Sequence, residues 1–287
     1  MNLKQAYDYC EEMTHRRGTN FSLGFKHLPA AKKRAIYAAY AFCRFADDIS
    51  DEESVKEPEK LLAQWKQELD LCYEGRPSHL ITEALSDVLR TYPVPKRVFE
   101  AMIQGCRQDL VKCRYASFEE VLDYCDMVAT PIARICLVVF GHAENLSVQY
   151  WGRHFAIALQ LTNILRDVGD DLDRNRIYLP AEDLQYFQCS EESLIAREVS
   201  PEFLEMMDFQ CRRAWYYFRG ADRLLPWFSE DARMGARLMR DIYQLVLTKV
   251  HRDPSQTLHT RCRISDSERE LLAERAFGKV DELAAKA

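Results

Sequence analysis

Hydrophobic residues recur every three or four positions along nearly the whole chain, which is the spacing of one face of an α-helix. Pro29 marks the start of a strong predicted helix that runs to the acids near Glu53, because proline is compatible with a first helical turn. Further helices are predicted over residues 61–73, 80–89, 96–111, 118–127, 132–140, 148–172, 202–224, 230–250 and 265–284. No strand-like alternation and no flexible linker interrupts this series. The pattern predicts an all-α fold, in one domain over residues 1–287.

The composition agrees with a helical protein. Glycine and proline contribute ten residues each to a chain of 287, a low share that argues against a many-stranded barrel or sandwich. The net charge of −6 argues against a nucleic-acid partner, because proteins that neutralise phosphate backbones carry a basic excess. The longest run without a charged residue or histidine, residues 155–165, has eleven residues. A membrane-spanning helix needs about 20, so only a peripheral association with a membrane surface stays open.

The ten cysteines predict a protein of the reducing cytoplasm. They show neither a C-x-x-C pair nor the Cys/His spacing of a zinc site. The first twenty residues include Asp8, Glu11 and Arg16, and they lack the apolar stretch of a secretory leader. Free, buried thiols and a cytoplasmic location are therefore expected.

Polar side chains line up near the end of the predicted helix that starts at Pro29. At 100° per residue, four of them fall within an arc of about 60° on one helix face. They are Tyr40, Arg44, Asp47 and Asp51. A polar stripe on an otherwise apolar helix faces water, a cavity or a ligand.

The most hydrophobic predicted helix carries a second polar stripe. Four residues share an arc of about 80° there: Gln160, Asn163, Asp167 and Asp171. Like charges four residues apart cost about 0.2–0.5 kcal/mol in a helix, and carboxylates at its C-terminal end oppose the helix dipole. Gly169 adds a cost of about 1 kcal/mol relative to alanine. Local stability therefore does not explain this sequence.

A divalent cation would reverse this balance, because clustered aspartate oxygens and an asparagine carbonyl are ligands that suit Mg²⁺. Arg44 and Arg166, beside the two groups of acids, are then candidate phosphate contacts. For either stripe alone, a solvated and salt-bridged helix face is the simpler explanation, and Arg44 could pair with Asp47 or Asp48. The two stripes together favour a metal-dependent phosphate site.

Two segments resemble the squalene/phytoene synthases, the head-to-head branch of the all-helical isoprenoid synthases. They are YAAYAFCRFADDISDE at residues 37–52 and ALQLTNILRDVGDDLDRNRIYLP at residues 158–180. NFSLGFKHLP at residues 20–29 and the YC-x-x-VA segment at 124–129 add to the resemblance, which extends over most of the chain. The resemblance implies a helical bundle around a central active-site cavity.

The resemblance also implies roles for individual residues. Four aspartates, in two pairs that face each other across the cavity, would hold a Mg²⁺ cluster together with Asn163: Asp47, Asp51, Asp167 and Asp171. The diphosphate and its first carbons would be contacted by four side chains: Tyr40, Arg44, Gln160 and Arg166. Tyr243 would close the pocket from a late helix. The segment before Pro29 would also bind substrate, through Arg17, Thr19, Asn20 and Phe21.

The implied activity is a Mg²⁺-dependent, head-to-head condensation of farnesyl diphosphate, via presqualene diphosphate, to squalene or a squalene-type product such as hydroxysqualene. Aromatic rings stabilise the carbocations of such a reaction by about 0.5–2 kcal/mol each, and Phe21, Tyr40 and Phe42 are candidate wall residues. Asn20 before Phe21, and Pro131 followed by Arg134, look more similar to the squalene-forming branch of bacterial hopanoid synthesis. That branch works with companion isoprenoid-pathway enzymes.

Two alternatives to this activity stay open. Within the family, the alternative is phytoene or dehydrosqualene synthesis for carotenoids. In another class, it is a non-catalytic helical assembly factor with the same fold. No G-x-G-x-x-G motif follows a strand, so no Rossmann site is predicted. Some family members bind NADPH without that motif, and the use of NADPH therefore stays open as well.

Overall fold

The computed structural model describes residues 2–17, 19–52, 54–142 and 144–284. These residues form fifteen α-helices and two short 3₁₀ turns, and none of them lies in a β-strand. The prediction of an all-α fold is therefore confirmed.

The helices follow one another with short connections. The first eight are α1 (Leu3–Arg17), α2 (Thr19–Phe25), α3 (Ala30–Asp51), α4 (Pro58–Tyr73), α5 (Leu80–Thr91), α6 (Lys96–Asp109), α7 (Phe118–Val128) and α8 (Thr130–Val139). The other seven are α9 (Leu146–Arg166), α10 (Val168–Asp173), α11 (Ala181–Tyr186), α12 (Glu191–Ile195), α13 (Pro201–Leu224), α14 (Glu230–Arg252) and α15 (Asp266–Ala284). The 3₁₀ turns, Leu225–Trp227 and Pro254–Leu258, follow α13 and α14.

Four of these helices were not predicted from the sequence. α11 and α12 have six and five residues, too few for a periodic pattern. α1 buries Ala6, Cys10 and Met13 at helical spacing, but these small or weakly apolar side chains give little contrast with its charged residues. α2 is a single short helix of seven residues. Apart from the one predicted over residues 148–172, the predicted helices are present, with bounds that differ by a few residues.

The prediction of one unbroken helix over residues 148–172 was wrong. α9 ends at Arg166, and Asp167 leaves the helical conformation with φ −105° and ψ 14° before α10 begins. Gly169 lets the new helix pack closely against a later part of the chain. A β-carbon at Gly169 would lie 2.6 Å from the carbonyl oxygen of Leu258, so only glycine lets α10 approach the 3₁₀ turn Pro254–Leu258 this closely.

α3 and α9 border the cavity described below and are themselves set in the core. Both are buried along most of their length, for example at Phe42 and Ala46 in α3 and at Ile157 and Leu161 in α9. α8 packs against both helices, and α13 lies along α9. The acidic C-terminal ends of α3 and α9 are therefore held in place by well-packed helices.

The cysteines agree with the reading of the sequence. All ten are free, and eight of them are buried. Within the described part of the chain, no helix combines the length and the apolar character that crossing a membrane requires.

Candidate active site

A cavity of about 690 Å³ lies between α3 and α9, and the two groups of acids meet at one end of it. Asp47 and Asp51 come from the C-terminal end of α3. Asp167 follows the last residue of α9, and Asp171 lies in α10. The structure therefore brings the two predicted stripes together in one site, although a break in the helix separates the members of the second.

The other predicted residues whose side chains are described also line this cavity. They are Asn20, Tyr40, Arg44, Gln160, Asn163, Arg166 and Tyr243. The side chains of Arg17, Thr19 and Phe21 lie outside the described part of the structure, and their contact with substrate stays a prediction. Phe42 was wrongly predicted as a wall residue, because its ring is fully buried against Trp65, with ring centroids 4.8 Å apart.

Arg44 pairs with the acids of its own helix. Its Nη1 lies 2.6 Å from Oδ2 of Asp47, and its Nη2 lies 2.7 Å from Oδ1 of Asp48. Its Nε is buried and has no hydrogen-bond partner among the described residues. One donor of this guanidinium is therefore left for a further acceptor at the cavity.

Asp167 accepts hydrogen bonds from two guanidinium groups. Arg166 approaches both carboxylate oxygens, at 2.7 and 2.6 Å. Arg261 follows the 3₁₀ turn Pro254–Leu258. Its Nε lies 2.9 Å from Oδ1 of Asp167, and its Nη2 donates to Oδ2 at 2.9 Å. Two positive charges on one carboxylate leave a local positive excess, which favours the approach of an anion. Arg261 was not predicted, because it follows a turn in a stretch without periodic hydrophobic residues.

The carboxylate of Asp51 pairs with a buried arginine, Arg176, from the segment that follows α10. Nη1 of Arg176 lies 2.8 Å from Oδ1 of Asp51, and its Nη2 donates to the backbone oxygen of Ser50 at 3.3 Å. Arg176 belongs to the irregular segment after α10, in the second motif identified from the sequence. This pair therefore connects the two acidic helix ends directly.

A fifth acid, Asp109, was missed by the sequence analysis. It is the last residue of α6 and lines the cavity, where it accepts hydrogen bonds from Tyr178 at 2.8 Å and Tyr124 at 3.0 Å. Burial raises the pKa of Asp109 to about 6, and the two phenolic donors oppose this shift. An acid at the C-terminal end of a helix is locally unfavourable, and this is the signal that could have identified it.

The acids at this end of the cavity repel one another. Burial is the main cause that raises the pKa of Asp171 to about 8, and the negative charge of Asp167 adds to it. Arg174 and Arg176 oppose that shift without abolishing it. Burial also raises the pKa of Asp47, against the opposing effect of Arg44. Asp47 and Asp171 are thus short of positive charge, as expected for a site that takes up a cation.

The side chains present fit Mg²⁺ together with a phosphate group. Oδ1 of Asn163 is buried without a hydrogen-bond partner, while its Nδ2 donates to Oε1 of Gln160 at 3.3 Å. Among the described residues, no three acidic, cysteine or histidine side chains converge closely enough to hold a metal ion by themselves. Mg²⁺ commonly takes one or two carboxylates and completes its shell with water and substrate phosphates. The unpaired amide oxygen of Asn163 and the carboxylates, whose negative charge is only partly neutralised, fit a site in which protein and substrate phosphate together surround the metal ion.

The opposite end of the cavity is apolar and closed by three phenylalanine rings. Phe140 lies 6.2 Å from Phe25 and 5.1 Å from Phe228, measured between ring centroids, and all three line the cavity. Phe25 precedes the start of α3 and Phe140 precedes the start of α9, whereas the acids lie at the other ends of these helices. From Ala30 to Asp47 the axis of α3 rises about 25 Å. The cavity therefore joins a charged end to a hydrocarbon end.

A helical bundle that encloses such a cavity defines the all-helical class of isoprenoid synthases. The family model for squalene/phytoene synthase matches residues 14–268, and the chain belongs to this family of head-to-head prenyltransferases. The family predicted from the sequence, and with it the class of enzyme, are confirmed.

Characterised relatives carry several product names. The chain is 33% identical over 275 residues to the 15-cis-phytoene synthase of Synechococcus elongatus. The alignment covers 92% of this chain and 89% of that relative. A dehydrosqualene synthase solved in complex with a ligand superposes with a TM-score of 0.87 at 26% identity, over 98% of both chains. A squalene synthase from Alicyclobacillus acidocaldarius gives a TM-score of 0.82 at 26% identity, over 88% of this chain and 95% of that one.

Proposed function

We propose that the protein condenses two molecules of farnesyl diphosphate head to head, via presqualene diphosphate, into a thirty-carbon squalene-type product, squalene or hydroxysqualene, for hopanoid or related triterpenoid synthesis. The observation that carries the proposal is the cavity itself, which has arginines and acids at one end and three closing phenylalanine rings at the other. A diphosphate ester of a long hydrocarbon has the same division into a charged and an apolar part.

The charged end is suited to bind a diphosphate and to stabilise it as a leaving group. Arg44 has a free buried donor, and Arg166 and Arg261 together exceed the charge of the one carboxylate between them. Preorganised donors of this kind stabilise negative charge that develops during bond cleavage. We propose that five residues also hold Mg²⁺ here: Asp47, Asp51, Asn163, Asp167 and Asp171. Bound Mg²⁺ would act as a Lewis acid that neutralises the departing diphosphate.

The walls beyond the charged end keep water from the substrate carbons. They are formed mainly by apolar side chains of α8, α9 and α14, such as Ile132, Leu159 and Val246. Loss of diphosphate leaves an allylic carbocation, which water would quench before a second prenyl chain could react. Tyr40 and Tyr243 line the cavity between its two ends, where their rings are placed to stabilise positive charge.

The closed end of the cavity supports a substrate of limited length. Phe25, Phe140 and Phe228 line this end and pack against one another, and we propose that their rings limit the length of the prenyl tail. Phytoene synthesis from a longer diphosphate is the second candidate, and the similarity to named phytoene synthases favours it.

Product analysis separates these candidates. The purified protein is incubated separately with farnesyl, geranylgeranyl and presqualene diphosphates, with Mg²⁺ or with EDTA, and with or without NADPH. Gas chromatography–mass spectrometry should detect a thirty-carbon product from farnesyl and presqualene diphosphates, only with Mg²⁺. Phytoene from geranylgeranyl diphosphate would establish the second candidate instead. Absence of Mg²⁺-dependent turnover of all three would leave the non-catalytic assembly factor as the explanation.

A further inference from the structure

An exposed surface rich in aromatic residues and arginines extends over neighbouring parts of α9 and α13. We define it by six exposed residues and call it the aromatic–arginine surface: Leu146, Tyr150, Tyr216, Arg219, Arg223 and Trp227. The first two lie one turn apart on α9, and the other four follow at intervals of three or four residues along α13 and the 3₁₀ turn after it. They therefore form two parallel rows rather than a scatter of exposed side chains.

The two rows lie side by side because the helices approach closely. A β-carbon at Gly220 would lie 2.5 Å from Cβ of His154, so only a glycine allows this packing of α13 on α9. His154 lies between the rows, with its ring centroid 4.4 Å from that of Tyr150 and 6.3 Å from that of Tyr216. The guanidinium of Arg219 lies 5.5 Å from the ring centroid of Tyr216. The six residues thus belong to one continuous surface.

This surface borders the apolar end of the cavity. Trp227 immediately precedes Phe228, and Leu146 begins the helix that follows Phe140, so the surface lies at the same end of α9 as the phenylalanine rings of the cavity. Asp167 lies about 30 Å away from Leu146 along the axis of α9. The charged end of the cavity is therefore far from the aromatic–arginine surface.

The residue types of the surface match the boundary of a lipid bilayer. Leu146 is 78% and Trp227 47% exposed, which is costly in water and favourable in an acyl layer. Tryptophan and tyrosine prefer the level of the lipid headgroups, where an arginine can reach anionic phosphates.

The charged residues around the aromatic–arginine surface leave Arg219 and Arg223 available to contact lipid phosphates. Asp222 is exposed next to Arg223 on α13, but it pairs with Arg240 at 2.9 Å. Glu144 and Glu230 are exposed at the ends of neighbouring helices, and the exposed Lys26 contributes a further positive charge beside Phe25. The surface therefore carries no net repulsion toward an anionic bilayer.

We propose that the aromatic–arginine surface docks the protein onto a phospholipid bilayer, with the hydrocarbon end of the cavity next to the membrane. The choice of a lipid partner rests in part on the proposed function, because a thirty-carbon hydrocarbon dissolves in the bilayer and not in water. The docking itself needs no substrate and can be measured without turnover.

Vesicle sedimentation of the protein tests the proposal. The wild type is mixed with vesicles of phosphatidylcholine alone or of phosphatidylcholine and phosphatidylglycerol. We expect the double variant Leu146→Ser/Trp227→Ser to lose at least tenfold in partitioning onto both. The double variant Arg219→Gln/Arg223→Gln should lose about fivefold or more on the anionic vesicles and little on the neutral ones. Val111→Ser, at an aliphatic residue that is 75% exposed and lies two positions after Asp109 of the charged end, should bind as the wild type does.

Several outcomes would overturn the docking surface. They are absence of wild-type sedimentation, unchanged binding of Leu146→Ser/Trp227→Ser, or an equal loss in Val111→Ser. Size-exclusion chromatography with light scattering is run in parallel, and a loss of dimer in the Leu146/Trp227 variant without loss of vesicle binding would assign the surface to a second copy of the chain. Circular dichroism verifies that each variant is folded. An inactive Asp47→Ala protein should still sediment, which separates failure of docking from failure of catalysis.

Discussion

Arg176 donates to Asp51 at 2.8 Å across 125 positions of sequence, and this contact holds the irregular segment after α10 against the end of α3. Both motifs that were identified from the sequence meet in this pair. The guanidinium occupies a place beside a carboxylate that Mg²⁺ would also approach. Its positive charge therefore stabilises the acids when no metal is bound.

Replacement of this arginine should make the protein depend on metal for its stability. In Arg176→Met, Asp51 loses its partner, and we expect the free energy of unfolding in EDTA to fall by about 1–3 kcal/mol. Mg²⁺ should restore part of the loss, since it binds the folded state preferentially. Thermal unfolding with and without Mg²⁺ measures both effects. Arg174→Met is the matched control, because Arg174 is more exposed and lies 4.0 Å from Asp51; an equal effect in both variants would contradict the assigned role.

The proposed metal ligands lead to a prediction for turnover. Asp47→Ala or Asp167→Ala should reduce Mg²⁺-dependent product formation by about 100-fold or more, because charge stabilisation of the leaving group is lost. Asp123→Ala serves as the control, since Asp123 is exposed on α7 and does not line the cavity. Activity is measured as product formed per minute over a range of Mg²⁺ concentrations. Undiminished activity of either variant at low Mg²⁺ would refute the assignment.

Asp171 makes the stability of the metal-free protein depend on pH. Its folded-state pKa of about 8 lies above the ordinary value of 3.8, so the folded state holds a proton that the unfolded state has released. The resulting stabilisation is complete below pH 4 and is lost as the pH rises toward 8. In EDTA, Asp171→Asn should therefore gain stability relative to the wild type over this interval. Urea unfolding at a series of pH values measures the difference, and a constant difference would contradict the raised pKa.

The acids were predictable because their positions are unfavourable without a ligand. Aspartates at the ends of α3 and α9 oppose the helix dipole, and a local pattern is enough to reveal that conflict. Asp109 shows the same conflict at the end of α6, and the sequence analysis overlooked it. Arg261, in contrast, reaches the site through tertiary packing, which no local pattern encodes. Phe42 illustrates a different error. At 100° per residue the two side chains are about 160° apart around the helix axis, so the helix itself already places these two rings on opposite faces.

Arg261 should contribute to substrate binding. In Arg261→Gln, Asp167 keeps Arg166 but the local positive excess disappears, and we expect KM for the prenyl diphosphate to rise about tenfold. Inorganic pyrophosphate should also inhibit this variant more weakly than the wild type. Arg252→Gln, at the exposed end of α14, should leave both constants unchanged. A reduced kcat with unchanged KM and unchanged pyrophosphate inhibition would contradict a binding role.

The phenylalanines at the apolar end should limit the length of the prenyl chain. Phe228→Ala removes one of the rings that close the cavity, and we expect the ratio of kcat/KM for geranylgeranyl over farnesyl diphosphate to rise about tenfold or more. Truncation of a buried phenylalanine costs about 3–5 kcal/mol, so Phe228→Leu is measured as a milder second variant and should shift the ratio in the same direction. Phe42→Leu is the control: Phe42 is equally buried but packs on Trp65 outside the cavity, and its replacement should lower Tm without changing the ratio. If Phe42→Leu shifted the ratio as Phe228→Leu does, or if neither Phe228 variant shifted it, the closed end would not set the chain length.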